Sequence, residues 1–352
     1  MKALSRLISA SKLDALVITH PPNWYYLTGF TGEAGVLIAS RGRATLISDG
    51  RFTAQAREEA SGTRYVEQKG SLVESAGRFL QENSFRRVGF DPARLSVAQL
   101  SAFRKFAGKR VEWISMPGQV ESLRIRKDST ELAGMRRAAD LAGAVLRGAL
   151  KLLKPGVREN EVAAEIEYQM RRGGASGPAF ETIVAFGKRA ALPHARPTSK
   201  RLKKNELVVL DLGVILAHYC SDITRTVFMG RAPARVKTWY KAVLEAQTAA
   251  IGTVKAGAVC GEVDRAARQV LAGYKLDRYF THSTGHGLGL EVHEDPRLAR
   301  GQTARIESGF VVTIEPGVYM AGVGGIRIED DVAVHPEKTE ILTRIPRDLI
   351  EL

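Results

Sequence analysis

The chain alternates short apolar runs with stretches whose apolar residues recur every three or four positions. In its first third, DALVITH, GVLIAS, RATLIS and RRVGFD are β-rich runs, while Arg51–Ala60, Leu72–Asn83 and Val97–Phe106 carry helical spacing. Leu4, Leu7 and Ile8, set among charges, predict an amphipathic helix leading into the first strand. Together these predict a smaller α/β domain over residues 1–118. The pattern breaks at Met116-Pro117-Gly118, and residues 119–127, polar and basic, read as a linker. A second domain then spans 128–352. Asp128 caps its first helix, with Glu131 completing a capping box, and Lys154-Pro155-Gly156 stops that helix after Leu152. A second helix covers Asn160–Arg172, and two more cover roughly Ala234–Lys255 and Gly261–Tyr274. The order helix, helix, hairpin occurs twice, which suggests an internally duplicated α+β architecture.

Against this pattern, the placement of the acids is costly. Asp211, Asp222, Glu315 and Glu329 lie in or beside the apolar runs ELVVLDLGV, CSDITRTVFM, GFVVTIEPGVYM and GGIRIEDDVAV. An ionised carboxylate in a strand covered on both faces loses hydration worth several kcal/mol. Asp211 and Asp222 are eleven residues apart, an odd separation that would put them on opposite faces of one uninterrupted strand. A turn or bulge in Gly213–His218 with an antiparallel return brings them together. Glu315 and Glu329 repeat the design around the glycine-rich AGVGG. His286, in STGHGLGL, can approach the same point because glycines let the backbone come close. Four carboxylates and a neutral imidazole carry about −4, which two divalent cations balance. No cysteine belongs to the set, so the ligands are hard and suit Mn2+ or Co2+ better than thiolate-type zinc. Any one of these acids alone reads as a turn residue, a cap or an ion-pair member; the combination reads as a two-metal site.

Four of the seven histidines lie in motifs that can face such metals: His194, His282, His286 and His293. Cleavage of an amide needs a group to steady the oxyanion and an acid for the leaving nitrogen, and imidazoles suit both tasks. Arg327 stands two residues before Glu329, on the same face of a strand. It can hold a substrate carboxylate or carbonyl, or pair with Asp330, Asp331 or another acid. The aromatic patch Asn23–Phe30 reads as core packing or a subunit contact.

Composition narrows the classes. Hydrophobic content of 44% and charged content of 26% fit a soluble globular chain, and 352 residues fit two domains. The net charge of +14 invites a nucleic-acid reading, but the Lys and Arg are scattered and no aromatic-basic stacking motif accompanies them, so no nucleic-acid partner is expected. Two cysteines without a CxxC, no signal-peptide pattern and no apolar run near the ~20 residues of a membrane helix predict a cytoplasmic protein.

The stretches LPHA, VVLDLG, YCSDITRT, HSTGHGLGLEVHE, TIEPGVY and GIRIEDD resemble the pita-bread-fold metallopeptidases, which include Xaa-Pro aminopeptidases, Xaa-Pro dipeptidases (prolidases) and methionine aminopeptidases. The resemblance runs from about Lys127 to the end, and the first 118 residues resemble the N-terminal domain of the creatinase/prolidase type. It implies a C-terminal pita-bread fold, a curved antiparallel sheet with duplicated helix-helix-hairpin units, and a homodimer. It implies that Asp211 and Asp222 bind one metal with Asp222 bridging, that His286 binds the other, and that Glu315 and Glu329 engage both. His194 and His293 match the family's active-site histidines, and His282 with Arg327 match positions associated with proline-specific members. The implied reaction is hydrolysis of the bond between an N-terminal residue and proline in peptides with proline second. The reading preferred on the sequence is an aminopeptidase that also takes Xaa-Pro dipeptides; a strict dipeptidase is the alternative, and a non-catalytic pita-bread peptide- or nucleic-acid-binding protein the remote one.

Overall fold

The computed structural model describes residues 2–352, and the chain divides into two compact units, Met1–Arg124 and Ile125–Leu352. The first is built on one six-stranded mixed sheet. Its strands are β1 (Ala15–Ile18), β2 (Val36–Ser40), β3 (Arg43–Ser48), β4 (Arg64–Glu67), β5 (Arg87–Phe90) and β6 (Glu112–Ser115), in the order β4-β3-β2-β1-β5-β6. Helices α1 (Lys2–Ala10), α2 (Pro21–Thr28), α3 (Thr53–Glu59), α4 (Leu72–Glu82) and α5 (Val97–Ala107) accompany it. The amphipathic pattern of α1 buries Leu4 and Ile8 completely. The aromatic patch falls on α2, where Trp24 is buried and its indole N–H donates to the Gly32 carbonyl at 3.2 Å. Segment 119–127, which reads as a linker, contains a short helix, α6 (Glu121–Arg124). Arg124 is buried there and donates to Asn23 Oδ1 at 2.6 Å.

The second unit opens with α7 (Ser129–Leu150) and α8 (Glu159–Arg172). Asp128 caps α7 by accepting from the Thr130 and Glu131 backbone N–H groups, and the Glu131 carboxylate accepts from the Asp128 N–H in return. After β7 (Gly177–Pro178) and β8 (Ile183–Phe186), the first acid-bearing hairpin pairs β9 (Glu206–Leu212) with β12 (Ile223–Met229), register Asp211↔Thr224. Its far end is a smaller hairpin, β10 (Val214–Leu216) and β11 (Tyr219–Cys220), turned at Ala217 and His218, both with positive φ. Helices α9 (Ala234–Thr253) and α10 (Cys260–Gly273) follow, packed against one another.

A five-stranded sheet then runs β14-β13-β15-β18-β19, from β13 (Gly285–Gly287), β14 (Glu294–Leu298), β15 (Val311–Ile314), β18 (Asp330–Val334) and β19 (Thr339–Ile341). Between its central strands, β16 (Gly317–Met320) and β17 (Gly324–Arg327) form a separate ladder. The last strand, β20 (Ile350–Glu351), pairs parallel to β12. Two large apolar clusters back this unit, one behind α7 and α8 and one behind α9 and α10. The sequence of two helices and a hairpin is therefore traversed twice.

The hairpins break at their acids. The β9/β12 ladder ends at Leu212↔Ile223, so Gly213 and Asp222 sit where it gives way to β10 and β11. The β15/β18 ladder ends at Ile314↔Asp330 and the β16/β17 ladder starts at Gly317↔Arg327, leaving Glu315 and Glu329 at the junction. The antiparallel register itself reconciles the odd spacing: Thr224 stands opposite Asp211, so Asp222, two residues from Thr224, falls on the same face, and the registers on either side of the second junction bring Glu315 opposite Glu329.

Candidate metal centre and active site

The two junctions meet. The Glu329 N–H donates to the Thr224 carbonyl at 3.2 Å, and the Thr224 hydroxyl donates to Glu329 Oε2 at 2.6 Å. Ligand atoms of Asp222, His286 and Glu329 lie within 4.8 Å of one another, and all three residues are buried. Glu315 Oε1 stands 3.7 Å from His286 Nε2, and Asp222 Oδ2 stands 3.8 Å from the same nitrogen. Asp211, on β9, is joined to the group through Arg327, whose guanidinium donates to Asp211 Oδ2.

Hydrogen bonds fix the histidine tautomers. His286 Nδ1 lies 3.0 Å from the Gly287 carbonyl, which can only accept, so the proton is on Nδ1 and the Nε2 lone pair faces the carboxylates. His282 Nδ1 likewise donates to the Ser283 carbonyl at 2.8 Å, and its Nε2 lies 2.8 Å from the Tyr319 hydroxyl. Burial lowers both imidazoles to about 4, with Arg327 adding to the effect on His282. Both rings are therefore neutral at pH 7. Burial raises the Tyr319 phenol to about 12, so it keeps its proton and donates it to His282 Nε2 while accepting from Arg327 at 2.7 Å.

His293 lies edge-on to His286 with ring centroids 4.4 Å apart. Its pKa is lowered by partial burial and then by His194 and Arg297. His194 lines a cavity of about 240 Å³ with Phe180, Ile183 and Arg196, and its charge also acts on His282. All nine site residues expected from the sequence thus lie in one region.

Arg327 takes the second of its two expected roles, pairing with another acid. Its partner is Asp211, whereas Asp330 pairs with Arg225 at 2.7 Å. Its Nε also donates to the Thr224 hydroxyl at 3.0 Å and its NH1 to the Pro193 carbonyl at 3.2 Å. Burial works against its charge, but Tyr319, Asp211, Glu329 and Glu315 outweigh that and hold the guanidinium charged.

Even with the Arg327 guanidinium beside them, the acids are crowded electrostatically. Burial, then Glu329, Asp211, Asp331 and Glu315, push Asp222 well above the usual carboxylate range. Burial with Glu315 and Asp211 does the same to Glu329. Glu315 rises to about 8 through burial and Asp211, although Arg327 opposes this. Buried oxygens Asp211 Oδ1 and Asp222 Oδ1 have no hydrogen-bond partner. Clustered hard oxygens, two of them orphaned, beside a bare imidazole lone pair fit divalent cations.

Three further contributors did not stand out in the sequence. Tyr319 bridges His282 and Arg327, and Thr224 bridges Glu329 and Arg327. Asp331 Oδ2 accepts the Asp222 N–H at 3.0 Å. Their only signals were polar residues inside apolar strands, too common to single them out.

A kinked double-hairpin sheet carrying buried acids around a histidine defines a metal-dependent hydrolase of pita-bread architecture. The chain belongs to it: residues 133–336 match metallopeptidase family M24, and residues 1–126 match the creatinase/prolidase N-terminal domain. A protein named Xaa-Pro dipeptidase from Pyrococcus horikoshii is 35% identical, the match covering 99% of this chain and 98% of that one. The solved Xaa-Pro dipeptidase from Bacillus anthracis is 37% identical with a TM-score of 0.96, covering 100% of this chain and 98% of that one. The X-Pro aminopeptidase from Thermotoga maritima is 32% identical with a TM-score of 0.92, covering both chains fully at 100%.

Proposed function

We propose that this protein hydrolyses the bond between an N-terminal residue and proline, using two divalent cations held by Asp211, Asp222, His286, Glu315 and Glu329. The carrying observation is the convergence of Asp222, His286 and Glu329 with Glu315 at 3.7 Å from His286. When bound, the cations would polarise the scissile carbonyl and activate water at neutral pH. Mn2+ is the proposed metal, Co2+ and Zn2+ the alternatives, because the set is oxygen-rich.

The protein's own groups do the rest. His286 presents Nε2 because its Nδ1–H is spent on Gly287. Arg327 has its donors committed to Asp211, Thr224, Tyr319 and Pro193, which supports a role in aiming Asp211 and His282 more than one in gripping a substrate carboxylate. His293 and His194 are exposed and face the same region; they serve the scissile carbonyl and the leaving nitrogen. The leaving nitrogen is proline's own ring nitrogen, a tertiary amide nitrogen with no hydrogen, so it must receive a proton as its bond to the acyl carbon breaks. His282, neutral and locked, forms part of the wall for the proline ring.

The names of the relatives at 35% and 37% shift weight toward dipeptides, and the aminopeptidase at 32% supports the reading with longer peptides. Assays on Xaa-Pro beside Xaa-Pro-Yaa, after chelation and add-back of each metal, test both points. Hydrolysis lost on chelation and restored by Mn2+ is expected; a rate unchanged by stripping the metals refutes the proposal. Turnover of the tripeptide separates aminopeptidase from dipeptidase. The same reading makes the protein a cytoplasmic homodimer, which light scattering of the purified chain checks for assembly. Among the described residues no helix is long and apolar enough to cross a membrane.

A further inference from the structure

We propose that Arg268 and Asp264 on α10 form a clamp that positions His282, and that they act on the reaction through that imidazole. The pair is four residues apart on one helix face, and Asp264 is completely buried. Arg268 Nε donates to Asp264 Oδ2 at 2.7 Å, and its NH2 donates to Asp264 Oδ1 at 3.1 Å. The same guanidinium reaches beyond its helix. NH1 donates to the Phe280 carbonyl at 2.9 Å and NH2 to the His282 carbonyl at 2.6 Å. Asp264 Oδ1 accepts from the Thr284 hydroxyl at 2.9 Å. The segment 280–284 is thus gripped at three residues by one ion pair.

Two of those residues bear on the centre directly. The Phe280 ring lies under the Arg268 guanidinium at 4.2 Å and meets the His282 ring edge-on at 5.0 Å, so it transmits the position of the arginine to the imidazole. The Thr284 carbonyl accepts the Glu315 N–H at 2.8 Å. The pair also lines a cavity of about 560 Å³, together with Glu262, Arg265, Arg300 and Gln302. A planar fork that satisfies one carboxylate and two carbonyls at once is a task lysine cannot copy.

Only the kinetic consequence rests on the Xaa-Pro reading; the geometry of the clamp does not. Two measurements on the full-length protein decide it. In Arg268→Lys, the imidazole 15N–1H correlations of His282, recorded on the metal-free protein, should shift and lose the single Nδ1–H tautomer. In the metal-loaded protein, Arg268→Lys should lower kcat/KM on an Xaa-Pro peptide by about tenfold, and the loss should be non-additive with His282→Asn. A residue that only stabilises the fold would lower Tm and give additive losses. Should Arg268→Lys fail to fold, the isosteric Thr284→Val delivers the same two readouts. An unchanged His282 pattern, or strictly additive losses, overturns the clamp. If the wild type cleaves no Xaa-Pro peptide, the functional reading fails, and the imidazole spectra still decide the clamp.

Discussion

The hydroxyl of Tyr319 lies 2.8 Å from Nε2 of His282 and 2.7 Å from the guanidinium of Arg327, and so ties the His282 imidazole to the guanidinium that holds Asp211. Removing that oxygen unlocks the imidazole and leaves a buried guanidinium donor unsatisfied. Tyr319→Phe should cost about 1–3 kcal/mol of stability in thermal or denaturant unfolding. It should also lower kcat/KM on Xaa-Pro peptides by about tenfold or more, because a loosened ring no longer sits in one geometry.

Asp222 is pushed up by burial and by Glu329, Asp211, Asp331 and Glu315 together. In the metal-free protein Asp222→Asn removes an acid that must take up a proton to be buried there, and the Tm measured in chelator should rise. In Mn2+ the same change removes a ligand, so Tm, metal stoichiometry and activity should all fall. Opposite signs in the two conditions distinguish a metal ligand from an ordinary buried acid.

The metal-free protein should lose stability as pH rises from about 6.5 to 8. Glu315 has a folded pKa of about 8, above its unfolded value, and Asp222 and Glu329 shift in the same direction. In that window the folded state holds more protons than the unfolded one, so stability falls with pH. The histidines oppose this only lower down. His282 and His286, at about 4 when folded, gain stability as pH rises toward the ordinary value of 6.5 and contribute nothing further above it. Denaturant unfolding at pH 6.5, 7.2 and 8 in chelator checks the sign, and a rising or flat profile contradicts it.

Lys127 and Glu294 form a buried ion pair at 2.9 Å, with side chains 2% and 7% exposed. Glu294 adjoins His293 and also accepts from the Glu291 N–H. Lys127→Met withdraws the countercharge from a buried carboxylate and should destabilise the protein by about 3–5 kcal/mol. Replacing both partners with apolar residues should recover part of that loss, which a double-mutant cycle measures.

Much of this was legible in the chain. Asp128 with Glu131, and the proline and glycine stops, marked the helices because capping is a local matter. The acids and His286 stood out because charge inside apolar strands is costly wherever it occurs. Strands β4 and β6 were not foreseen: RYVE and EWIS are four-residue edge strands, half-exposed, whose polar ends mask the pattern.

The sequence by itself determined which residues had to be neutralised and which elements carried them, since hydrophobic period, caps and misplaced charge are properties of neighbours along the chain. Tertiary structure alone decided the partners. Arg327 went to Asp211, 116 residues away, and not to Asp330, which Arg225 took from 105 residues away. Those choices follow from where two kinked hairpins cross, and the crossing is set by packing of α7 to α10 behind them, which no local pattern encodes.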